Sequence, residues 1–333
     1  MKLAFTLCSA NYLPLAKTLG LSLLEHNPDY RFVIGLVDRW EDATGYFAGT
    51  RIEILQVEDI KIPKFESMVN TYSLVELITS VKPFYFDHFL NREPGIELVA
   101  YFDPDILILL PLTELEQTLS HHDIVLTPHL TQPINDNLMP TEKHIFETGV
   151  FNLGFLALAN RPEAQKLIHW WSRKLETECL LDLSRGYFVD QLWMNIAPCL
   201  FDRVWIEKRP GYNAAHWNLH ERRLSGESGK CWINGLPLIF FHFSHFDPLK
   251  PGQIAKCHSR FDLASRPDLV GLFESYRKSL LDAGYEKFRE NRCFYAKGET
   301  RKIFRRTLLG FLRRNTPLSV KLKLGKYVQR FLK

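Results

Sequence analysis

Two aspartates, one residue apart, are the residues of this sequence whose chemistry is easiest to interpret. Asp103 and Asp105 flank a proline and lie between the apolar segments 97–102 and 106–110. Carboxylates are hard oxygen ligands, so two of them at one strand end can converge on Mg²⁺ or Mn²⁺ and leave positions for phosphate oxygens. Aspartate and proline also favour ordinary surface turns, which stays the alternative for this pair alone.

Other polar residues interrupt apolar runs and are further candidate site residues. His242 ends an apolar run (FFHFSH) and is a candidate third ligand, with a core histidine as the alternative and His245 as its competitor. Asp190 and Gln191 enter an apolar stretch, where capping of a helix is the alternative. Asn152 lies in the middle of an apolar segment, where its amide needs a partner or faces a cleft.

The elements that must position these residues alternate between apolar strands and helices. Strands are predicted at 2–8, 31–37, 52–57, 97–103, 106–110, 122–128, 149–159 and 238–244. Helices are predicted from Asn11 to Leu24 and at 67–80, 83–91 and 161–178, and a long loop is predicted over 208–236. This alternation predicts an α/β fold with a mostly parallel sheet, in which ligands bind at the carboxyl ends of the strands.

Composition argues against an integral membrane protein and against a secreted protein stabilised by disulfides. The 333 residues are 46% hydrophobic and 24% charged, as in globular proteins of one large or two modest domains. No stretch approaches the roughly 18 apolar residues of a membrane span, and Asn11, Tyr12, Pro14 and Lys17 interrupt the N-terminal apolar run, so we expect no signal peptide. Six scattered cysteines predict reduced thiols and an intracellular protein.

The net charge of +4 hides an asymmetry between the body and the C-terminal segment. Residues 301–333 carry eleven lysines and arginines and no acid, which leaves a net charge of −7 for residues 1–300. A mildly acidic body argues against a nucleic-acid-binding protein. The segment 301–333 has apolar residues at helical spacing opposite its charges, which is typical of helices that bind anionic membranes. Packing on the body or on a partner, and nucleic-acid binding by this segment, are the alternatives.

Six short motifs, taken in order, resemble nucleotide-sugar-dependent glycosyltransferases of the GT-A fold. They are Asn11-Tyr12, Lys82-Pro83, Phe102-Asp-Pro-Asp105, Phe151-Asn-Leu-Gly154, Asp190-Gln191 and His242-Phe-Ser. The likeness is strongest to the retaining family 8 type, which includes bacterial lipooligosaccharide galactosyltransferases and glycogenins. It covers roughly residues 1–260, and implies a Rossmann-like, mostly parallel sheet flanked by helices. A helical extension (261–300) and the basic amphipathic tail (301–333) would follow.

The resemblance assigns roles to the candidate residues. Asp103, Asp105 and His242 would hold Mn²⁺ or Mg²⁺, which neutralises the diphosphate of the donor. Asp190 and Gln191 would act in catalysis, with Gln191 nearest the anomeric carbon. The expected donor-binding residues are Thr6, Ser9, Asn11, Asp38, Lys82, Asn152 and, at the diphosphate, Lys250.

The sequence departs from the family at two places. Cys8-Ser9-Ala10 stands where family members often carry an acid that reads uracil, so Asp38 is the remaining acidic candidate for that contact. His245 stands where glycine is common, a residue that lets backbone approach phosphate closely.

The resemblance implies a hexosyltransferase that uses a nucleoside diphosphate sugar, with a UDP-sugar expected, and retains the anomeric configuration. The expected acceptor is a glycan or a lipid-linked glycan, reached from the cytoplasmic face of the plasma membrane through the basic tail. No nucleic-acid partner is expected. The alternatives are a non-catalytic nucleotide-sugar-binding protein of the same fold and a metal-dependent phosphohydrolase.

Overall fold

The computed structural model describes residues 1–40, 43–227 and 230–296. Its strands are β1 (Lys2–Cys8), β2 (Tyr30–Leu36), β3 (Ile52–Gln56), β4 (Leu98–Phe102), β5 (Ile106–Ile108), β6 (Ile124–Pro128), β7 (Phe151–Ala159), β8 (Leu181–Asp182), β9 (Tyr187–Phe188), β10 (Val204–Ile206), β11 (Ala214–Ala215), β12 (Leu224–Glu227), β13 (Lys230–Ile233), β14 (Leu236–Pro237) and β15 (Phe240–His242).

The helices alternate with these strands in the first half of the chain and cluster again after residue 266. They are α1 (Leu13–His26), α2 (Ala43–Tyr46), α3 (Phe65–Thr71), α4 (Leu74–Ser80), α5 (Lys82–Arg92), α6 (Thr113–His121), α7 (Glu142–Thr148), α8 (Pro162–Glu178), α9 (Ala197–Leu200), α10 (Pro267–Asp282) and α11 (Tyr285–Phe288). Short 3-10 helices lie at Ala10–Tyr12, Leu183–Arg185, Gln191–Ile196, His216–Asn218 and Phe294–Ala296.

The central sheet has seven strands in the order β10-β6-β7-β4-β1-β2-β3. Only β7 runs antiparallel to its neighbours β4 and β6, and the other pairings within this sheet are parallel. The prediction of a mostly parallel α/β sheet is therefore confirmed.

Helices cover both faces of the central sheet, which explains why its strands are apolar throughout. In β1, Phe5 packs into the core beneath α4, α5 and α8, whereas Ala4 packs into the core beneath α1 and α6. Successive side chains of a strand point to opposite faces, so each strand of this sheet must supply apolar residues to two cores.

Two predicted helix boundaries are wrong, and side-chain hydrogen bonds explain both. The helix predicted over 67–80 is broken before Ser73, because Ser73 and Glu76 form a capping box that starts α4, with Glu76 accepting from the Ser73 amide at 2.8 Å. Asn11 does not cap α1, which begins at Leu13 after a 3-10 turn. Instead, the Asn11 amide oxygen accepts from the Ser9 hydroxyl at 2.6 Å.

The prediction of one long loop over 208–236 is also wrong. This region contains β11, a 3-10 turn and part of an antiparallel sheet in the order β12-β13-β14. The strands are too short to show a periodic pattern. The turn between β13 and β14 uses Asn234 and Gly235, both with positive φ (51° and 77°), and this dipeptide is a recognised hairpin signal.

A second, three-stranded sheet in the order β11-β15-β5 lies beside the central sheet. In it, β15 pairs antiparallel with β5, in a register that places His242 opposite Ile106. Helix α10 packs its apolar residues, among them Phe273, against Phe241 and Phe243 of this region. The small sheet therefore carries the end of β15 to the turn that follows β4.

Among the described helices, none is long and apolar enough to cross a membrane. The basic segment 301–333 and residues 297–300 lie outside the described residues.

Candidate functional site

Three predicted metal ligands meet at the carboxyl end of β4. Asp103 and Asp105 lie on the turn between β4 and β5, and His242 is the last residue of β15. His242 Nε2 lies 3.0 Å from Asp105 Oδ1 and 3.8 Å from Asp103 Oδ2. One ligand atom from each of the three residues lies within 4.8 Å of the others, so all three can reach one cation.

The orientation of the His242 ring is set by Asn213. His242 Nδ1 lies 3.3 Å from the Asn213 amide oxygen, so Nδ1 carries the proton and Nε2 faces the two aspartates. Asn213 is fully buried and has a φ of 50°, a left-handed conformation that asparagine tolerates better than most residues. The ring centres of Trp217 and His242 lie 5.2 Å apart in an edge-to-face arrangement.

The electrostatics of the three groups are coupled. Burial raises the pKa of Asp103, against the lowering effects of Lys82 and His242. Burial also acts to raise the pKa of Asp105, but the charge and hydrogen bond of His242 outweigh it, so this pKa is lowered. In turn, burial acts to lower the pKa of His242, and Asp105 more than offsets it. The two carboxylates thus favour positive charge at the position that His242 faces.

Glycine at position 154 leaves the room that a cation needs. A Cβ atom on Gly154 would lie 2.3 Å from His242 Cε1 and 2.8 Å from both Asp103 Oδ2 and Asn152 Oδ1. Real Cβ atoms do not approach other atoms this closely. Two carboxylates and an imidazole suit a divalent first-row cation or Mg²⁺, so the residues present fit a divalent metal.

A buried ion pair lies next to this group. Lys82, the first residue of α5, donates to Asp190 Oδ2 at 2.6 Å and to the Leu153 carbonyl at 2.9 Å. Its Nζ lies 4.1 Å from the centre of the Tyr101 ring, and the Tyr101 hydroxyl donates to Asp103 Oδ1 at 2.6 Å. Lys82 therefore connects Asp190 to the metal ligands through one aromatic ring.

Asp190 is held in place by its backbone as well as by Lys82. Burial raises the pKa of Asp190 and the charge of Lys82 acts against this. The preceding Val189 has a φ of 41°, which is rare for a β-branched residue and indicates local strain. Asp190 precedes the 3-10 helix Gln191–Ile196 but its side chain makes no capping hydrogen bond, so the capping alternative is wrong.

Amide side chains form a buried network between Asp190 and the metal ligands. The Gln191 oxygen accepts from the Leu153 amide at 2.9 Å, and its nitrogen donates to the Thr148 carbonyl at 2.8 Å. The Asn152 oxygen accepts from the Asn213 side chain at 2.9 Å. Buried amides that are fully paired hold a fixed geometry. The contacts of this network bring together Lys82, Asn152, Asp190 and Gln191.

The residues predicted near the nucleotide are less uniformly placed. Asn11 lines a cavity beside Asp105. Thr6 is fully buried in β1 and does not line this cavity, and Ser9 is buried beneath its hydrogen bond to Asn11. The Asp38 carboxylate is also buried and accepts from the backbone amides of Ala10, Arg39 and Phe294 at 2.8–3.0 Å. Asp38 thus organises the loops around the cavity.

The cavity beside Asp105 has a volume of about 380 Å³. Residues that line it include Asn11, Tyr12, Asp105, Ser244, His245 and Lys256. Lys250, which the sequence assigned to the diphosphate, is exposed and does not line this cavity.

His245 also lines this cavity, and it adopts a φ of 61°, a conformation that favours glycine. This agrees with the glycine that is common in the family at this position.

Sequence reasoning missed several residues that shape the site. Tyr101, whose hydroxyl donates to Asp103, lies within the apolar run of β4, so the sequence gives it no sign beyond that of a core residue. The rings of His129 and Trp217 pack edge to face, with 5.1 Å between their centres. Burial lowers the pKa of His129 to about 4. Its only sequence signal is its place just after β6, at the carboxyl edge of the sheet.

Comparisons with known proteins agree with this architecture. No family model matches the chain. The chain is 28% identical over 213 residues to the uncharacterized protein YfnF of Bacillus subtilis strain 168, which covers 62% of this chain and 67% of that protein. It is 25% identical over 239 residues to the uncharacterized protein YfnD of the same organism, covering 71% and 75%.

A solved structure of the galactosyltransferase LgtC, in complex with donor and acceptor sugar analogues, is also similar. It matches with a TM-score of 0.52 and 15% identity, over 90% of this chain and 100% of that chain. The chain therefore has the GT-A fold, and its likeness to glycosyltransferases of the family 8 type extends from the sequence motifs to the architecture.

Proposed function

We propose that this protein transfers a hexose from a nucleoside diphosphate sugar to a glycan acceptor, with retention of the anomeric configuration. One observation carries the proposal. The Asp103–Asp105–His242 group lies at the carboxyl edge of a GT-A sheet, joined through Tyr101 and Lys82 to the buried carboxylate of Asp190. A cation site beside a rigid network of buried polar side chains suits a substrate with a diphosphate at one end and a sugar at the other.

Asp103, Asp105 and His242 would hold Mn²⁺ or Mg²⁺. When bound, this cation supplies the positive charge that neutralises a diphosphate leaving group. Asn213 keeps His242 Nε2 directed at the site, and Tyr101 fixes one oxygen of Asp103 so that the other is available. Pre-set geometry of this kind favours the departure of a charged group because little reorganisation is needed during the reaction.

The buried polar side chains next to the cation site would contact the donor sugar. Both ends of the Gln191 amide are held by backbone groups, and Asp190 is tied to Lys82. Side chains held in this way can stabilise a positively charged transition state, Gln191 as a fixed dipole and Asp190 as a fixed charge. They are less suited to act as a free nucleophile. The acceptor hydroxyl would then attack from the face that the diphosphate occupies, and a diphosphate oxygen would take its proton.

We propose a UDP-sugar as the donor and a lipid-linked glycan as the acceptor, approached from the cytoplasmic membrane surface. Uracil as the nucleobase of the donor is proposed on the family resemblance alone. Support for the membrane surface is the sequence of residues 301–333, with eleven basic residues and no acid. The full chain should sediment with anionic vesicles and not with neutral ones, and K323Q/K326Q/R330Q should reduce this. Equal binding to both kinds of vesicle would contradict the membrane proposal.

The donor is tested by calorimetric titration with UDP-, GDP-, dTDP- and CMP-sugars, in Mn²⁺ and in EDTA. We expect one nucleotide sugar to bind only with the metal, and D103N and D105N to lose that binding. D202N, at an exposed aspartate far along the chain, is the control that should retain it.

A product assay with a glycan acceptor separates the alternatives. Transfer of the sugar supports the proposal. Binding without transfer or hydrolysis would mean a non-catalytic binding protein, and release of phosphate without sugar preference would mean a phosphohydrolase.

A further inference from the structure

Helices α10 and α11 close the cavity beside Asp105, although they follow the region that carries the family motifs. Tyr276 of α10, Tyr285 of α11 and Arg289, which follows α11, line the same cavity as Asp105. The cavity wall is thus built from two parts of the chain that are far apart in sequence.

The α10–α11 segment is fixed against both loops of the site. The Tyr276 ring stacks on Phe243, one residue after His242, with 3.8 Å between ring centres and 14° between planes. Arg277 donates to the Pro248 carbonyl at 2.7 Å. Further along, the Phe294 amide donates to Asp38, which also accepts from the amide of Ala10. These contacts hold the segment in one position relative to the cavity.

Two cations face this cavity, and although Asp105 and Asp247 also line it, neither carboxylate forms an ion pair with these cations among the described residues. Lys256 makes no ion pair among the described residues, and its amide donates to the His245 carbonyl at 3.2 Å. Arg289 pairs at 3.2 Å with Glu290, whose side chain is 80% exposed. Such an exposed pair is weak and easily exchanged for a better anion. A multivalent anion such as a diphosphate is the ligand that two such side chains bind well.

The Tyr276 hydroxyl supplies an independent indication of a ligand. Tyr276 is 1% exposed, and its oxygen has no hydrogen-bond partner among the described residues. Asp105, Tyr12 and Tyr285 are the polar groups near it. Buried hydroxyls are nearly always paired, so one that lines a ligand cavity without a partner is explained by a ligand atom that accepts from it.

We propose that Lys256, Arg289 and Tyr276 bind the diphosphate of the nucleotide, which makes α10 and α11 part of the donor site. This inference rests on the proposed function and deepens it. Lys250, which was assigned to the diphosphate, is exposed outside the cavity. Lys256, six residues further on, and Arg289, which follows α11, take this role instead.

The test is calorimetric titration of the full chain with Mn²⁺ and UDP, GDP or dTDP, whichever binds, and with the matching nucleoside. We expect K256A and R289A each to weaken binding of the diphosphate about tenfold, as for a lost charge-assisted contact, and to leave the nucleoside unchanged. K250A is the matched control and should bind like the wild type. K256R and R289K should recover most of the affinity.

Y276F gives a second test that does not depend on removing a charge. We expect weaker nucleoside diphosphate binding without a lower melting temperature, because the lost hydroxyl has no partner in the free protein. The inference is overturned if K250A weakens binding and K256A does not, or if the nucleoside loses affinity in parallel. Failure of the wild-type protein to bind any nucleoside diphosphate would instead overturn the proposed function, and this inference with it.

Discussion

Replacing either member of the buried Lys82–Asp190 pair should destabilise the protein strongly, and the loss in K82M should depend on pH. The pair has an Nζ–Oδ2 distance of 2.6 Å, and both side chains are at most 3% exposed. K82M leaves a carboxylate with no cation to pair with, and D190N leaves an unpaired ammonium. Losing one partner of a buried pair typically costs about 3–5 kcal/mol.

The magnitude for K82M follows from neutralising the group left behind. In K82M, Asp190 must take up a proton that an unfolded aspartate with a pKa of about 3.9 does not hold at pH 7. Neutralisation therefore costs about 4 kcal/mol at pH 7 and about 1.5 kcal/mol at pH 5. In D190N, the Lys82 ammonium keeps the Leu153 carbonyl and the Tyr101 ring but loses its carboxylate, so we expect a loss within the same range of about 3–5 kcal/mol.

The sign of the pH dependence in K82M is fixed by which state binds more protons. Folded K82M binds a proton that the unfolded chain releases, so its deficit shrinks as the pH falls. The double variant K82M/D190N carries neither charge and should lose at least about 3 kcal/mol less than the two single losses added together.

Urea unfolding at pH 5, 7 and 9, with each variant compared to the wild type at the same pH, measures these differences. K166M, which breaks an ion pair whose lysine is 66% exposed, is the control and should show no measurable change. The reasoning is refuted if K82M and D190N lose less than about 1 kcal/mol, or if the deficit of K82M does not shrink as the pH falls.

Three further predictions concern the cation site and the imidazoles around it. N213G keeps the left-handed backbone but removes the hydrogen bond to His242 Nδ1, so Mn²⁺ binding measured by calorimetry should weaken about 10–100-fold; unchanged affinity would contradict the orienting role of Asn213. G154A places a methyl group 2.3 Å from His242 Cε1 and should abolish Mn²⁺ binding while destabilising the fold by about 1–3 kcal/mol in urea, and retained metal binding would be the contrary result. Burial lowers the pKa of His129 to about 4, so the unfolded chain binds more protons between pH 6.5 and 4 and stability falls through this window, by about 2 kcal/mol from pH 8 to pH 5. H129Q should flatten this slope in urea titrations, whereas H121Q at an exposed histidine should not, and equal slopes would show that His129 is not the source.

The strands and the candidate metal-binding group could be predicted because local patterns mark them. Strands buried on both faces are continuous apolar runs, and polar residues at their ends are conspicuous, as with Asp103 and His242. The elements that were mispredicted depend on interactions that no local pattern records. The break before Ser73 comes from a capping box inside an otherwise helical stretch, and the strands β11 to β14 are only two to four residues long.

The walls of the cavity beside Asp105 could not be predicted from motifs for a different reason. Lys250 and Lys256 are both lysines of one loop, and only the path of that loop decides which of them lines the cavity. Asp38 lies just after a strand, where acidic residues often bind ligands. However, the amide of Phe294, near the end of the described chain, donates a hydrogen bond to one of its carboxylate oxygens. Contacts between distant segments therefore decide the roles that residue types leave open.

The arrangement of charges suggests why a costly buried pair lies next to the cation site. Lys82 acts to lower the pKa of both Asp103 and Asp190, so one ammonium group offsets part of the burial of two carboxylates. It contacts Asp190 directly and acts on Asp103 from the other side of the Tyr101 ring. A hydrophobic replacement for the pair could be as stable, but it would leave Asp103 harder to ionise and the buried polar network beside it without a fixed charge. The pair is therefore best explained by what it does for its neighbours, and the strained backbone at Val189 and the glycine at position 154 have the same explanation.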